Sequence, residues 1–174
     1  MIYVCPLSQL NATIKHLSPS HLVSLLDPKS MIETPPSLRR DRHLRLGVND
    51  IAEPRDGLIP PDESHIREIL DFADGWDRLA PMLIHCWAGI SRSTATAYIV
   101  LCHLNEGQER QAAQLMRAAA RHAQPNRRLV ALADALMGRR GRMIEAVAQM
   151  GPGEFDVEGT LFSMPAKIEG GVLL

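Results

Sequence analysis

The segment from Met82 to Asn105 does most to decide how this chain can fold. It opens on the apolar run Met82-Leu83-Ile84 and crosses His85-Cys86-Trp87-Ala88-Gly89-Ile90-Ser91-Arg92-Ser93. It then continues to Asn105 through ATAYIVLCHL, which is apolar almost all round. A helix with no polar face must be covered on every side, so it belongs at the centre of a domain. The short apolar run ahead of it reads as a buried strand. Strand, loop and central helix in that order call for a sheet with helices against it.

The remaining segments fit that frame. Met1–Pro6 reads as a first strand, Ser8 as the cap of a short helix through Leu17 that Pro19 ends, and His21–Leu26 as a second strand. A Pro-rich loop from Asp27 to Ser37 and the basic cluster Arg39, Arg40, Arg42, His43 and Arg45 lead into a third strand, His43–Val48. Pro60-Pro61-Asp62-Glu63-Ser64 is a helix start, with Ile66, Ile69, Leu70 and Ala73 following at helical spacing. Two further helical patterns cover Glu109–Ala123 and Asn126–Met137, the second running on towards Met150.

Strands alternate with helices first, and only helices follow. The expected class is α/β: a small central, mostly parallel sheet flanked by helices on both sides, with a helical C-terminal part. With 174 residues, one domain over 1–150 is expected, followed by an irregular Gly-rich tail over 151–174 whose Leu161 and Phe162 can dock onto it.

Composition narrows the function. Apolar residues make up 45% and charged ones 22%, the balance of a soluble globular protein. A net charge of −1 argues against a general nucleic-acid or membrane-surface binder, so any attraction for anions has to be local. No apolar stretch approaches the roughly 20 residues of a membrane helix, and no secretory leader is evident. Cys5, Cys86 and Cys102 are too widely spaced for a disulfide framework or paired zinc ligands. The expected setting is reduced and cytoplasmic, with no cofactor and no metal. Oligomeric state is not legible.

The loop between strand and central helix carries the chemistry. Such a loop points N–H groups inward, and the helix N-terminus adds partial positive charge. That cradle suits a tetrahedral anion, and a cysteine at its floor would be favoured as the nucleophilic thiolate. Arg92, six positions after Cys86, offers a planar fork for two oxygens. A cation at a helix start is disfavoured by the dipole, which points to a functional reason for it. Gly89 is expected where the backbone approaches the anion closely or takes positive φ. Trp87, Ala88, Gly89, Ile90 and Ser91 would bind mainly through N–H groups. Cys102 reads as a core residue of the central helix, and Cys5 as inert or as a reversible disulfide partner of Cys86.

His85-Cys86-x5-Arg92-Ser93 resembles the signature of the cysteine-dependent protein tyrosine phosphatase superfamily, and Ala-Gly-Ile-Ser-Arg-Ser looks most like its dual-specificity branch. The resemblance covers roughly residues 1–140 and implies that family's α/β fold. It implies that Cys86 attacks phosphorus to form a phosphocysteine and that Arg92 stabilises the transition-state charge. Ser93 would assist departure of the Cys86 sulfur, beside its plainer reading as a helix cap. His85 would orient the loop and set the acidity of the thiol; as a metal ligand it lacks partners at suitable spacing.

The family also uses an upstream aspartate as acid and base. Asp50, Asp56 and Asp62 compete, and Asp50, after HLRLGVN, holds the position the branch uses. Asp56 sits in a Pro/Gly loop, and Asp62 is better explained as a helix cap. Pro125-Asn126 resembles the pair that opens a late helix and braces the loops, although an ordinary N-cap explains Asn126 too.

The tyrosine-specific branch of that superfamily deepens its site with a recognition tyrosine. Here the only tyrosines, Tyr3 and Tyr98, fall in the first strand and the central helix, so the resemblance implies a shallow site. The expected substrate is a phosphorylated protein, at tyrosine and also serine or threonine. A small phosphomonoester such as an inositol phosphate is the alternative, and a phosphate-binding pseudophosphatase a further one. The uncharged residues between Cys86 and Arg92 argue against highly anionic lipid headgroups.

Overall fold

The structure is a computed structural model describing residues 1–169; positions 170–174 of the expected tail lie outside the described residues. Among the described residues, five strands form one sheet in the order β3-β2-β4-β1-β5. They are β1 (Ile2–Pro6), β2 (His21–Leu26), β3 (His43–Gly47), β4 (Met82–Cys86) and β5 (Phe162–Met164). The first four are parallel to one another, and β5 alone runs antiparallel, against β1. Every residue of β2 and of β4 is buried, as expected of inner parallel strands covered on both faces.

Helix α1 (Leu10–Leu17) covers one face through a small cluster of Cys5, Leu10, Ile14, Leu22 and Leu83. The other face meets the large core built around α3 (Arg92–Leu104), to which α2 (Glu63–Asp74), α4 (Glu109–Ala119), α5 (Arg127–Leu136) and α6 (Arg142–Met150) contribute. Every residue of α3 from Arg92 to Cys102 is buried. Tyr98 of this helix places its hydroxyl against the carbonyls of Glu109 and Met143. The expected mostly parallel α/β sheet, flanked on both sides, is therefore the observed fold. No described helix is long and apolar enough to cross a membrane.

Several boundaries differ from the sequence reading. Ser8 caps nothing: Leu7–Gln9 forms a tight 3-10 turn, and α1 begins after Gln9. The amide of Leu7 is tied to the Trp87 carbonyl (3.0 Å), so the chain leaves β1 under constraint before a wider helix can start. Helix α4 stops at Ala119, and Arg117 donates to the carbonyls beyond it, those of Ala120, Arg121 and Ala123. Helices α5 and α6 are separate because Gly138, Arg140 and Gly141 take φ of 65°, 55° and 88°. The Asp134 carboxylate accepts from the Gly141 and Met143 amides and so starts α6 afresh. Phe162–Met164, in the stretch expected to be irregular, forms β5.

Asp62 caps α2 as its position before the apolar pattern implies. Its carboxylate accepts from the Ser64 and His65 amides at 2.9 and 3.3 Å, and the His65 ring accepts from the Asp62 amide at 3.2 Å. Replacing such a cap costs about 1 kcal/mol. Asp62→Ala is expected to lower the thermal unfolding midpoint by about 2–4 °C, with Asp62→Asn close to wild type. Equal midpoints for wild type and Asp62→Ala in a calorimetric scan would show that the cap contributes nothing.

Candidate active site

Ligands of open parallel sheets bind beyond the carboxyl ends of the strands. Here the central strand β4 ends at Cys86 and α3 begins at Arg92, so residues 87–91 turn through that crevice. The loop's carbonyls are turned outward. Those of Trp87, Ala88, Ile90 and Ser91 accept from the amides of Leu7 (3.0 Å), Gly159 (2.8 Å), Gln124 (2.9 Å) and Asn126 (3.3 Å) respectively. Among the described residues, no N–H of positions 87–91 donates to another backbone group. Gly89 makes the turn with φ 71°, and a Cβ there would stand 2.7 Å from the Pro6 nitrogen. Only glycine lets the loop lie against the end of β1.

Cys86 lies at the floor, 1% exposed, with its Sγ 3.1 Å from the Ser93 Oγ. Ser91, not Ser93, precedes the helix, and its side chain caps no amide. Ser93 is fully buried against the thiol, so the cap reading fails and the contact expected from the resemblance is present. Cys5 and Cys102 are also buried, and burial pushes both thiols up to about 12, which keeps them protonated.

Arg92 is only 4% exposed. Its Nη1 donates to the Val48 carbonyl at 2.7 Å and to Asp27 Oδ1 at 3.3 Å. Its Nε is buried with no hydrogen-bond partner, and the nearest charge is Asp50 Oδ2 at 3.9 Å. A buried guanidinium is tolerated only when paired. One side of this fork is held by the chain, while Nε keeps a donor that no described group takes up. Asp27, at the end of β2, is itself held by the Asn49 amide at 2.8 Å, and Asn49 Oδ1 accepts from the Ile59 amide at 2.8 Å. The sequence reading missed Asp27 and Asn49. The signal open to it was polar residues directly after strands that read as parallel.

Of the three competing carboxylates only Asp50 reaches the loop. It lies three residues beyond β3, and its Oδ1 accepts from Ser91 Oγ at 2.7 Å and Asn126 Nδ2 at 2.9 Å. Asp56 is exposed further along the same loop and has no hydrogen bond to the site among the described residues, while Asp62 is occupied at α2. Asn126 joins both of its readings. Its Oδ1 caps α5 at the Arg128 and Leu129 amides, and its Nδ2 holds Asp50.

His85 is fully buried, with Nδ1 3.4 Å from the Cys86 carbonyl and Nε2 2.6 Å from Ser24 Oγ. Burial lowers its pKa to about 4, so the ring is neutral at ordinary pH. Trp87 is 59% exposed at the rim, and neither tyrosine lies there. The basic cluster precedes and begins β3, at the end of the sheet remote from the loop; within it Arg39 pairs with Asp41 and Arg45 with Glu33. Among the described residues no group of three or more His, Cys, Asp or Glu is placed to hold a metal ion.

No protein-family model matches the sequence, and no curated protein matches it. Solved structures do resemble it. The crystal structure of DUSP15 is 21% identical, with 86% of this chain and 89% of that chain covered and a TM-score of 0.57. The Cydia Pomonella PTP-2 phosphatase is 21% identical, with 77% and 84% covered and a TM-score of 0.59. The likeness establishes the fold: this chain has the dual-specificity cysteine phosphatase-like α/β architecture.

A cradle of free N–H groups should bind a tetrahedral oxyanion whether or not it turns over. Tungstate at about a hundred times its Kd adds about 2.7 kcal/mol if it binds the native state alone. The wild type is expected to show that gain in a thermal shift assay. Gly89→Ala, whose Cβ meets the end of β1, is expected to lose it. A full tungstate gain in Gly89→Ala would mean that the anion sits elsewhere.

Proposed function

We propose that this protein is a phosphatase that hydrolyses phosphate monoesters through a phosphocysteine at Cys86. The observation that carries this reading is the loop at 87–91, whose N–H groups make no backbone hydrogen bond among the described residues. It is set between the buried Cys86 thiol and Arg92 at the start of α3, whose Nε has no partner among the described residues. Such donors favour the thiolate and match the oxygens of a phosphoryl group.

In the first step the Cys86 thiolate attacks phosphorus, an S–P bond forms and the bond to the leaving oxygen breaks. Asp50 gives that oxygen a proton. Its Oδ1 is occupied by Ser91 and Asn126, which leaves Oδ2 to carry the proton. In the second step water attacks phosphorus, Asp50 takes the proton back, and the S–P bond breaks with both electrons returning to sulfur. The Ser93 hydroxyl stabilises the departing thiolate from 3.1 Å. Arg92 and the loop amides neutralise the charge on the equatorial oxygens in both transition states.

The substrate class follows from the mouth of the site. The exposed Trp87 and the absence of charged side chains between Cys86 and Arg92 suit a phosphorylated protein, at tyrosine and also at serine or threonine, over a highly anionic small molecule. Three free cysteines suit a reducing, cytoplasmic setting.

Hydrolysis of an aryl phosphate and of an alkyl phosphate tests the assignment. Cys86→Ser is expected to abolish both. General acid catalysis contributes about 10²–10⁴-fold. Asp50→Asn is therefore expected to lose about that much on the alkyl ester, and less on an aryl ester whose anion leaves unaided. Asp56→Asn should match wild type. Activity surviving Cys86→Ser would exclude the mechanism, and tungstate binding without turnover in the wild type would mark a pseudophosphatase.

A further inference from the structure

A buried line of polar side chains runs across three strands beneath the loop. Ser24 of β2 is paired in register with His85 of β4, and its Oγ stands 2.6 Å from His85 Nε2 and 2.8 Å from His43 Nε2 of β3. His43 Nδ1 in turn lies 3.0 Å from the Thr34 hydroxyl in the loop between β2 and β3. Ser24 and His85 are fully buried, and His43 is nearly so. A buried apolar sheet would be simpler to build without these groups, since each must find a partner.

Only one proton arrangement joins the whole line. The Cys86 carbonyl can only accept, so His85 carries its proton on Nδ1 and presents Nε2 as an acceptor. Ser24 must then donate to His85, which leaves its oxygen to accept from His43 Nε2–H. His43 Nδ1 is thereby an acceptor, and Thr34 donates to it. Burial lowers both imidazoles to about 4, so neither ring is charged at neutral pH. The charged groups facing the line are Arg45 and Glu33 near His43, and Arg92 near His85. All four bonds point the same way, from Thr34 towards the loop, and such chains reinforce one another.

We propose that Thr34, His43 and Ser24 are positioning residues: they fix the tautomer and orientation of His85, which holds the Cys86 carbonyl and so sets the first peptide of the anion cradle. This inference rests on the phosphatase reading of that cradle. It ties the conformation of the Pro-rich loop carrying Thr34 to the reactivity of a thiol two strands away.

The test is the pH profile of Cys86 alkylation by iodoacetamide, together with kcat and KM on an aryl phosphate, for S24A, H43L, H43Q and T34V. S24A and H43L each break two hydrogen bonds of the line, which is expected to move the alkylation profile up by about half to one pH unit. It should lower kcat by about five- to tenfold with KM little changed. H43Q, whose amide N–H can reach Ser24 in place of Nε2–H, should recover most of the loss. T34V, altered at a half-buried loop position, should shift the profile in the same direction by less. Should S24A fail to fold, H43L against H43Q and T34V still decide the matter. Folded H43L with a wild-type profile and kcat, or H43Q as impaired as H43L, would reduce the line to packing and overturn the proposal. Alkylation needs no turnover, so a wild type inactive on every phosphate ester would sink the phosphatase reading separately.

Discussion

A backbone loop can keep its N–H groups free for a ligand only if its carbonyls are satisfied from outside. Everything around residues 87–91 serves that condition. Amides from the turn after β1, from the approach to α5 and from the C-terminal segment donate to Trp87, Ala88, Ile90 and Ser91. Gly89 lets the loop lie on the end of β1, where any Cβ would strike the backbone. The loop is thus suspended from three separate parts of the fold. Its inward polarity is a property of the folded chain, since no short peptide could hold it.

The same logic governs Arg92. A guanidinium this deeply buried is costly unless its donors are met. The Val48 carbonyl and the Asp27 carboxylate meet one side, and Nε, with no hydrogen-bond partner among the described residues, lies 3.9 Å from Asp50 Oδ2. Asp50 is itself fixed by Ser91 and Asn126. Thiol, fork and carboxylate are therefore held by neighbours at the carboxyl ends of parallel strands, where the sheet leaves a crevice.

What could be read from the sequence was whatever lies close together along the chain. The Cys86 floor, the Arg92 fork, the Gly89 turn and the all-round apolar helix fall within one segment, and residue type there dictates geometry. Asp50 and Asn126, 76 positions apart, were reachable only because the loop sequence resembles a known family. Asp27, 65 positions from Arg92, carried no such signal, and only the folded sheet brings the two together. The Ser24–His43–His85 line was invisible for the same reason, since a serine and a histidine inside apolar strands look like isolated exceptions. Strand β5 is three residues long, too short for any alternation to register. The α5–α6 break depends on an Arg at positive φ between two glycines, where helical periodicity on both sides masks the turn.

The account stands on covalent participation of Cys86. Rapid acid quench during turnover of an aryl phosphate, followed by peptide mass analysis, measures it directly. The account predicts one phosphoryl group on the peptide carrying Cys86, absent from the same peptide in Cys86→Ser. Steady turnover with no phosphoryl group on that peptide at any quench time, or with the group on another residue, would contradict it.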